Sequence, residues 1–234
     1  MIAFAIAGAV LFSGCSDSSS PASSIDAGRD ADIITPAYGN GYEDSGVIIG
    51  GGGSGGPDTI DEDASSPGAL VINELDYDEP STDDSEFVEI LNTTGAAIDV
   101  SNNALSFVNS SSEYLRVNLT GSIPAGGYLV VADTAVTVGG TAAVIRFTKA
   151  TGNIRNGPDA VAIVDRTTGD IIDALSYGGE ISGYVEGTAT DAVDSSTSAG
   201  SLIRYPNGSD TNDASTDWIF TTSITPGVAN VKAP

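Results

Sequence analysis

The chain has 234 residues, no histidine, one cysteine (Cys15), one tryptophan (Trp218), and eight Lys and Arg against 32 Asp and Glu. Each scarcity removes a class of chemistry. Without histidine there is no Ser-His-Asp or Cys-His relay, and the commonest general base of enzymes is missing. Structural zinc needs several Cys and His ligands around one ion, which this composition cannot supply. A single cysteine allows no disulfide within the chain, so packing must hold the core. The formal net charge of −24 disfavours nucleic acid, whose binding depends on cations that displace counterions from phosphates. Only Arg146, Lys149 and Arg155 lie close together in sequence, too few for a basic stripe. Site chemistry falls to carboxylates, hydroxyls, amides and a few scattered cations.

Residues 2–13, IAFAIAGAVLFS, form an apolar run of signal-peptide length, too short to cross a bilayer comfortably as a helix. The run ends in LFSGC, with the small Ser13 and Gly14 directly before the lone cysteine. This resembles the lipobox of bacterial lipoproteins. The resemblance implies a signal peptide over 1–14, cleavage before Cys15, and lipidation of Cys15 as the membrane anchor. Several acyl chains, at about 0.8 kcal/mol per buried methylene, make such attachment effectively permanent. The pattern departs from the family in two places: no Lys or Arg precedes the apolar run, and Phe12 stands where Leu is usual. Ser16, rather than Asp, follows the cysteine. By the same resemblance this places the protein in the outer membrane of a bacterial cell envelope.

From 15 to 67 the composition turns to Ser, Gly, Asp and Pro, as in SDSSSPASSIDAGRDAD and GGGGSGGPDTIDEDASSPG. Ten acids after Cys15 face only Arg29, so the segment carries 1 − 10 = −9. It has too little apolar surface to offset its ordering entropy and is expected to be a disordered tether. A flexible chain of about 52 residues spans roughly 40 Å on average.

From residue 68 onward the pattern is all-β. Short apolar runs recur between turn signals: ALVINELDY (69–77), EFVEILN (86–92), AIDVSNNALSFVN (97–109), EYLRVNL (113–119), GYLVVAD (127–133), AAVIRF (142–147), AVAIVD (160–165), IIDALSY (171–177), SLIRY (201–205) and DWIFTT (217–222). β-branched residues dominate and no helical period is sustained. Such spacing indicates a sandwich or barrel. AVAIVD and IIDALSY, joined by RTTG, predict a hairpin, with Val161 and Ile163 on one face and Ala160, Ala162 and Val164 on the other. NGPDAVAIVD has no P-loop Lys and no following helix, so it is a turn into that hairpin.

Several of these segments, in this order, resemble the bacterial lamin tail domain. They are INELDYD leading to EFVEILN, then IPAGGYLVVAD, NGPDAVAIVDRTTGDIIDALSY, and SLIRYPNGSDTNDASTDW with TPGVAN. The resemblance covers about residues 69–230 and implies an immunoglobulin-like β-sandwich over 68–234. Where the family usually has Leu-Ser-Gly-Trp-x-Leu, this chain has VSNNAL, with Asn102 and Asn103 at the glycine and tryptophan positions. Trp218 is a candidate for the missing packing.

The acids are concentrated in two segments. DYDEPSTDDSEFVE holds seven carboxylates in fourteen positions, and NGSDTNDASTD (207–217) holds three. Calcium takes six to eight oxygens from carboxylates, carbonyls and water. The candidate ligands are Asp76, Asp78, Asp83, Asp84 and Glu86 in the first segment, with Asp210, Asp213 and Asp217 in the second. The alternative is a solvated acidic loop that keeps an exported protein soluble. If the two segments met, their repulsion would call for a cation between them.

The functional expectation is a non-catalytic, envelope-anchored lipoprotein whose domain binds a protein or glycan and takes no obligatory cofactor. A calcium-stabilised adhesion or scaffold domain is the second reading. A carboxylate-dependent hydrolase, needing only two converging acids, is the third.

Overall fold

The structure is a computed structural model and describes residues 68–234 except Ser111. The expected signal peptide, Cys15 and the expected tether lie outside the described residues. The order of elements is β1 (Leu70–Asp76), β2 (Phe87–Asn92), β3 (Ile98–Asp99), β4 (Asn103–Asn109), β5 (Ser112–Asn118), β6 (Ser122–Ile123), β7 (Tyr128–Ala132), β8 (Ala143–Arg146), β9 (Asp159–Asp165), β10 (Ile171–Tyr177), β11 (Ser201–Arg204), the single helical turn α1 (Ala214–Asp217) and β12 (Trp218–Thr221). Each apolar run of the sequence yields a strand, and AIDVSNNALSFVN yields two, broken at the SNN turn. A large sheet has the order β12-β11-β1-β2-β7-β8 and a small one β10-β9-β4-β5, while β3 and β6 form a separate pair. Neighbours are antiparallel except β7 and β8.

The two larger sheets pack face to face. Ile72, Leu75, Val88, Ile90, Leu129 and Leu202 of the large sheet share one core with Leu105, Phe107, Val161, Ile163 and Leu175 of the small one. The predicted hairpin is β9–β10, and its parity is as expected. Val161 and Ile163 face the core, whereas Ala162 and Val164 pack outward with Ala104 and Ala174, and Ala160 with Val108. Those outward residues are buried too, beneath Ile181 and Tyr184. Asn102 fixes the SNN turn: its Nδ2 donates to both oxygens of Asp165, and Arg166 N donates to its carbonyl.

In β1 a register shift between Ile72 and Glu74 breaks the alternation. A bulge adds one residue to one strand and reverses the facing of everything after it. Ile72 and Leu75 therefore both point inward, and Glu74 turns outward, directly opposite Glu89 of β2. Two carboxylates opposed in this way repel, and here the closing segment TPGVAN covers them. Thr225 N and Oγ1 donate to Glu74 at 2.9 and 3.0 Å, while Gly227 N and Asn73 Nδ2 donate to Glu89 at 2.6 and 2.7 Å. Gly227 has φ +93°, and a Cβ there would lie 2.5 Å from the Gly139 carbonyl oxygen, so glycine is required for this approach.

Burial pushes Glu89 up to about 8 against those hydrogen bonds, and burial likewise raises Glu74. The folded state then holds more protons than the unfolded chain between the ordinary carboxylate value of about 4.5 and about 8. Stability falls as pH rises through that window, because the side that binds more protons is favoured at low pH. Thermal unfolding should give a melting temperature several degrees higher at pH 5 than at pH 8, and Glu89→Gln should flatten the slope.

Candidate functional site

The first acidic segment runs from the end of β1 to the start of β2, and only part of it faces water. Asp84 is exposed, and Asp78 and Asp83 are half-buried. Asp78 accepts from Asn156 Nδ2 at 2.8 Å. Asp76 and Glu86 are buried, which corrects the expectation of a solvated loop. The reason is topological. Asp76 lies beneath the 178–200 connection, where Asp194 accepts from the backbone N–H groups of Tyr77 and Asp78 at 3.1 and 3.3 Å. Burial, with the Asp194 carboxylate next, raises Asp76 far above the usual range, and burial raises Asp194 as well.

Glu86 belongs to a ring of three residues from distant parts of the chain. Its Oε2 accepts from Asn153 N at 2.6 Å and Ile154 N at 3.0 Å. Asn153 Nδ2 donates to Asp133 Oδ1 at 2.6 Å, and Asp133 Oδ2 accepts from Glu86 N at 3.3 Å. All three side chains are buried. Glu79 reaches the same region: its Oε1 accepts from Ser85 N at 2.8 Å, and its backbone N donates to Asp83 at 3.3 Å. Burial raises Glu86 to about 8 and Glu79 to about 7, with the charges of Asp133 and other acids adding to both. Four oxygens remain buried without a partner here and at Asp76: Glu86 Oε1, Asn153 Oδ1, Glu79 Oε2 and Asp76 Oδ1.

The second acidic segment lies at the other end of β1. Asp210 accepts from Gly68 N, just before β1 begins, whereas Asp76 ends that strand. Asp210 and Asp217 also reach Arg204, which is bonded to the Ile72 carbonyl four residues before Asp76. At about 3.3 Å per residue roughly 13 Å separates that cluster from Asp76, too far to share a cation. Asp213 instead caps α1, accepting from Ser215 N and Oγ. Asp210 and Asp217 bind Arg204, whose side chain is fully buried. Its guanidinium donates to Asp173 at 2.8 Å, Asp217 at 3.1 Å, Glu186 at 3.2 Å and Asp210 at 3.4 Å. Its Nε donates to the Ile72 carbonyl at 2.8 Å, and its Cζ lies 5.1 Å from the Trp218 ring centre. Asp173, Glu186 and Asp210 place oxygens within 4.8 Å of one another, and the cation against them is the guanidinium. Trp218 thus covers Arg204.

Sequence reasoning missed Arg204, Asp173, Glu186, Asp133, Asn153 and Asp194. A signal existed for two of them, since Arg204 and Asp173 each interrupt an apolar strand run, SLIRY and IIDALSY.

Removing one partner of a buried ion pair costs about 3–5 kcal/mol, because the other is left uncompensated. Arg204→Met should destabilise the domain by that order in urea denaturation. Arg204→Lys should also lose stability, since a single ammonium cannot reproduce a planar fork that reaches both sides at once.

The family model described as Lamin Tail Domain matches residues 63–179. That span ends after β10, so β11, α1 and β12 lie beyond it although β11 and β12 complete the large sheet. None of the curated proteins matches the chain. With half its length matched, and a sandwich of two sheets built from that half and its continuation, the chain belongs to the lamin tail domain family.

Proposed function

We propose that this protein is a non-catalytic module of a bacterial cell envelope. It is lipid-anchored at Cys15, in the outer membrane, and presents its lamin-tail sandwich on an acidic tether to a protein or glycan partner. The observation that carries this reading is the way the sandwich uses its buried acids. Glu74, Glu86 and Glu89 accept from backbone N–H groups, and Asp173 and Asp217 accept from Arg204. These are the roles of structural acceptors, each holding a loop or strand to its neighbour. The hydrolase reading needs two carboxylates converging on bound substrate. From residue 68 onward the charge is 7 − 22 = −15, which favours protein or glycan over nucleic acid. The calcium-stabilised scaffold is a second reading, favoured by the unpartnered oxygens of Glu86 and Asn153.

The full chain, produced in a bacterial host supplied with an alkyne fatty acid, should incorporate the label and sediment with the outer membrane. Cys15→Ala should abolish both. Membrane retention of Cys15→Ala would remove the anchor from the proposal. Crosslinking in whole cells should trap a discrete adduct of the anchored chain, and its absence would remove the binding role.

A further inference from the structure

We infer that Glu86, Asn153 and Glu79 form a calcium site at the β1–β2 end of the sandwich, with Asp83 and Asp133 supporting it. The inference goes beyond the envelope-module reading and does not depend on it.

The starting observation is an imbalance within a hydrogen-bonded ring. Glu86, Asp133 and Asn153 bond one another in a closed circuit through Glu86 N, Asp133 Oδ1 and Oδ2, Asn153 Nδ2 and Asn153 N. That circuit fixes which way each group points, including the amide of Asn153, whose Nδ2 donates to Asp133 Oδ1 and to the Lys149 carbonyl. One oxygen of Glu86 and one of Asn153 are left buried without a donor, and Glu79 Oε2 is in the same condition. A buried acceptor without a partner costs its full desolvation, and more when it is charged. Two nearby cations do not relieve it. Arg146 Nη1 donates to the Asp133 carbonyl, and Lys149 Nζ to the Gly152 carbonyl at 3.0 Å.

The other carboxylate cluster has the opposite character. Around Arg204 three acids approach more closely, but every one of them receives a guanidinium N–H. None of their oxygens is among the buried unpartnered atoms of the described residues. Elsewhere among the described residues only Asp76 Oδ1 and Asp159 Oδ2 are buried side-chain acceptors without a donor, one to a residue, whereas Glu79, Glu86 and Asn153 lie on two loops joined to each other.

The donor set selects the ion. Carboxylate and amide oxygens without nitrogen or sulfur suit a hard cation. The first set pairs two carboxylates with one side-chain amide on two loops, 79–86 and 149–154, which are joined by Gly152 N donating to the Asp83 carbonyl at 3.1 Å. Calcium accepts such irregular spheres of six to eight oxygens at 2.3–2.6 Å and completes them with water, whereas magnesium demands near-ideal octahedral geometry.

The test is thermal unfolding and equilibrium dialysis of the full chain, stripped with EDTA and titrated with calcium chloride or magnesium chloride. Calcium should raise the melting temperature saturably by about 5 °C or more and bind at one ion per chain, with magnesium giving a much smaller shift. Glu86→Gln and Glu79→Gln should melt close to the wild type in EDTA, yet lose at least tenfold in calcium affinity. Asp210→Asn, at the Arg204 cluster, should leave the calcium response intact. Should Glu86→Gln fail to fold, Glu79→Gln, on the half-buried loop, carries the test alone. A wild type indifferent to calcium would overturn the inference. So would a calcium response retained by Glu79→Gln or abolished by Asp210→Asn.

Discussion

The guanidinium of Arg204 is the contact on which the rest of this sandwich depends. Arg204 ends β11 in the large sheet, and Asp173, its nearest acid, lies in β10 of the small one, so one ion pair ties the two layers together. Asp173 also accepts from Ile72 N at 2.5 Å. That N–H lies beside the β1 bulge, where ladder bonding is interrupted and the extra residue needs a partner from elsewhere. The bulge sets the facing of the rest of β1. Without it Glu74 would point into the core and Leu75 outward. The same buried cation, through Asp173 and through its own bond to the Ile72 carbonyl, thus holds the chain where the bulge begins. Asn230 completes the junction by donating to the carbonyls of Asn73 and Arg204 at 2.9 and 3.0 Å, where the short β1–β11 register stops.

Such a hub is costly in isolation. Removing a guanidinium and several carboxylates from water is repaid only when geometry is good and further hydrogen bonds satisfy the remaining atoms. Both conditions hold here. Every guanidinium nitrogen donates, and Asp217 also accepts from Thr211 N and Oγ1 at 2.8 and 3.0 Å. The 207–217 segment is thereby ordered by Arg204 rather than by an apolar core of its own. This explains how a stretch of loop composition comes to cover one end of the sandwich.

Much of the strand content was legible because the physics that marks strands is local. Apolar runs bounded by Gly-Gly, Asn-Gly and Thr-Gly-Asp located all the longer strands, and period-two alternation oriented Val161 and Ile163 correctly. The bulge at Asn73 was not legible, since nothing in VINELD distinguishes a regular strand from a shifted one without its partners. The burial of Asp76, Glu86 and Glu89 was hidden for a related reason. Reading a polar residue as exposed assumes that one sheet face is wet, and here TPGVAN covers Glu89, the 178–200 connection covers Asp76 and the 149–154 loop covers Glu86. Asp76 and Glu86 were recognised as candidate ligands from their crowding, but Asp133 and Asn153 join Glu86 only through β2–β7 pairing and the return of the chain before β9. No spacing within one segment encodes that meeting.

The two ends of β1 show how the same problem is met in two ways. A strand end that carries acids into a covered layer must neutralise them, by a proton, a fixed cation or a mobile one. At the Arg204 end the positive charge is covalently part of the chain, so Asp173 and Asp217 there can be fully enclosed. At the Glu86 end the chain supplies backbone N–H groups to one oxygen of Glu86 and one of Glu79 and leaves the other of each open. Backbone donors orient a carboxylate without cancelling its charge. The net charge of −15 carried from residue 68 onward adds a field of the same sign, which disfavours ionisation further. What remains at that end is a preoriented set of oxygens that a proton or, on the proposal made above, a calcium ion would neutralise. On that proposal the local order of the open end depends on the ionic medium, whereas the closed end carries its own counter-charge.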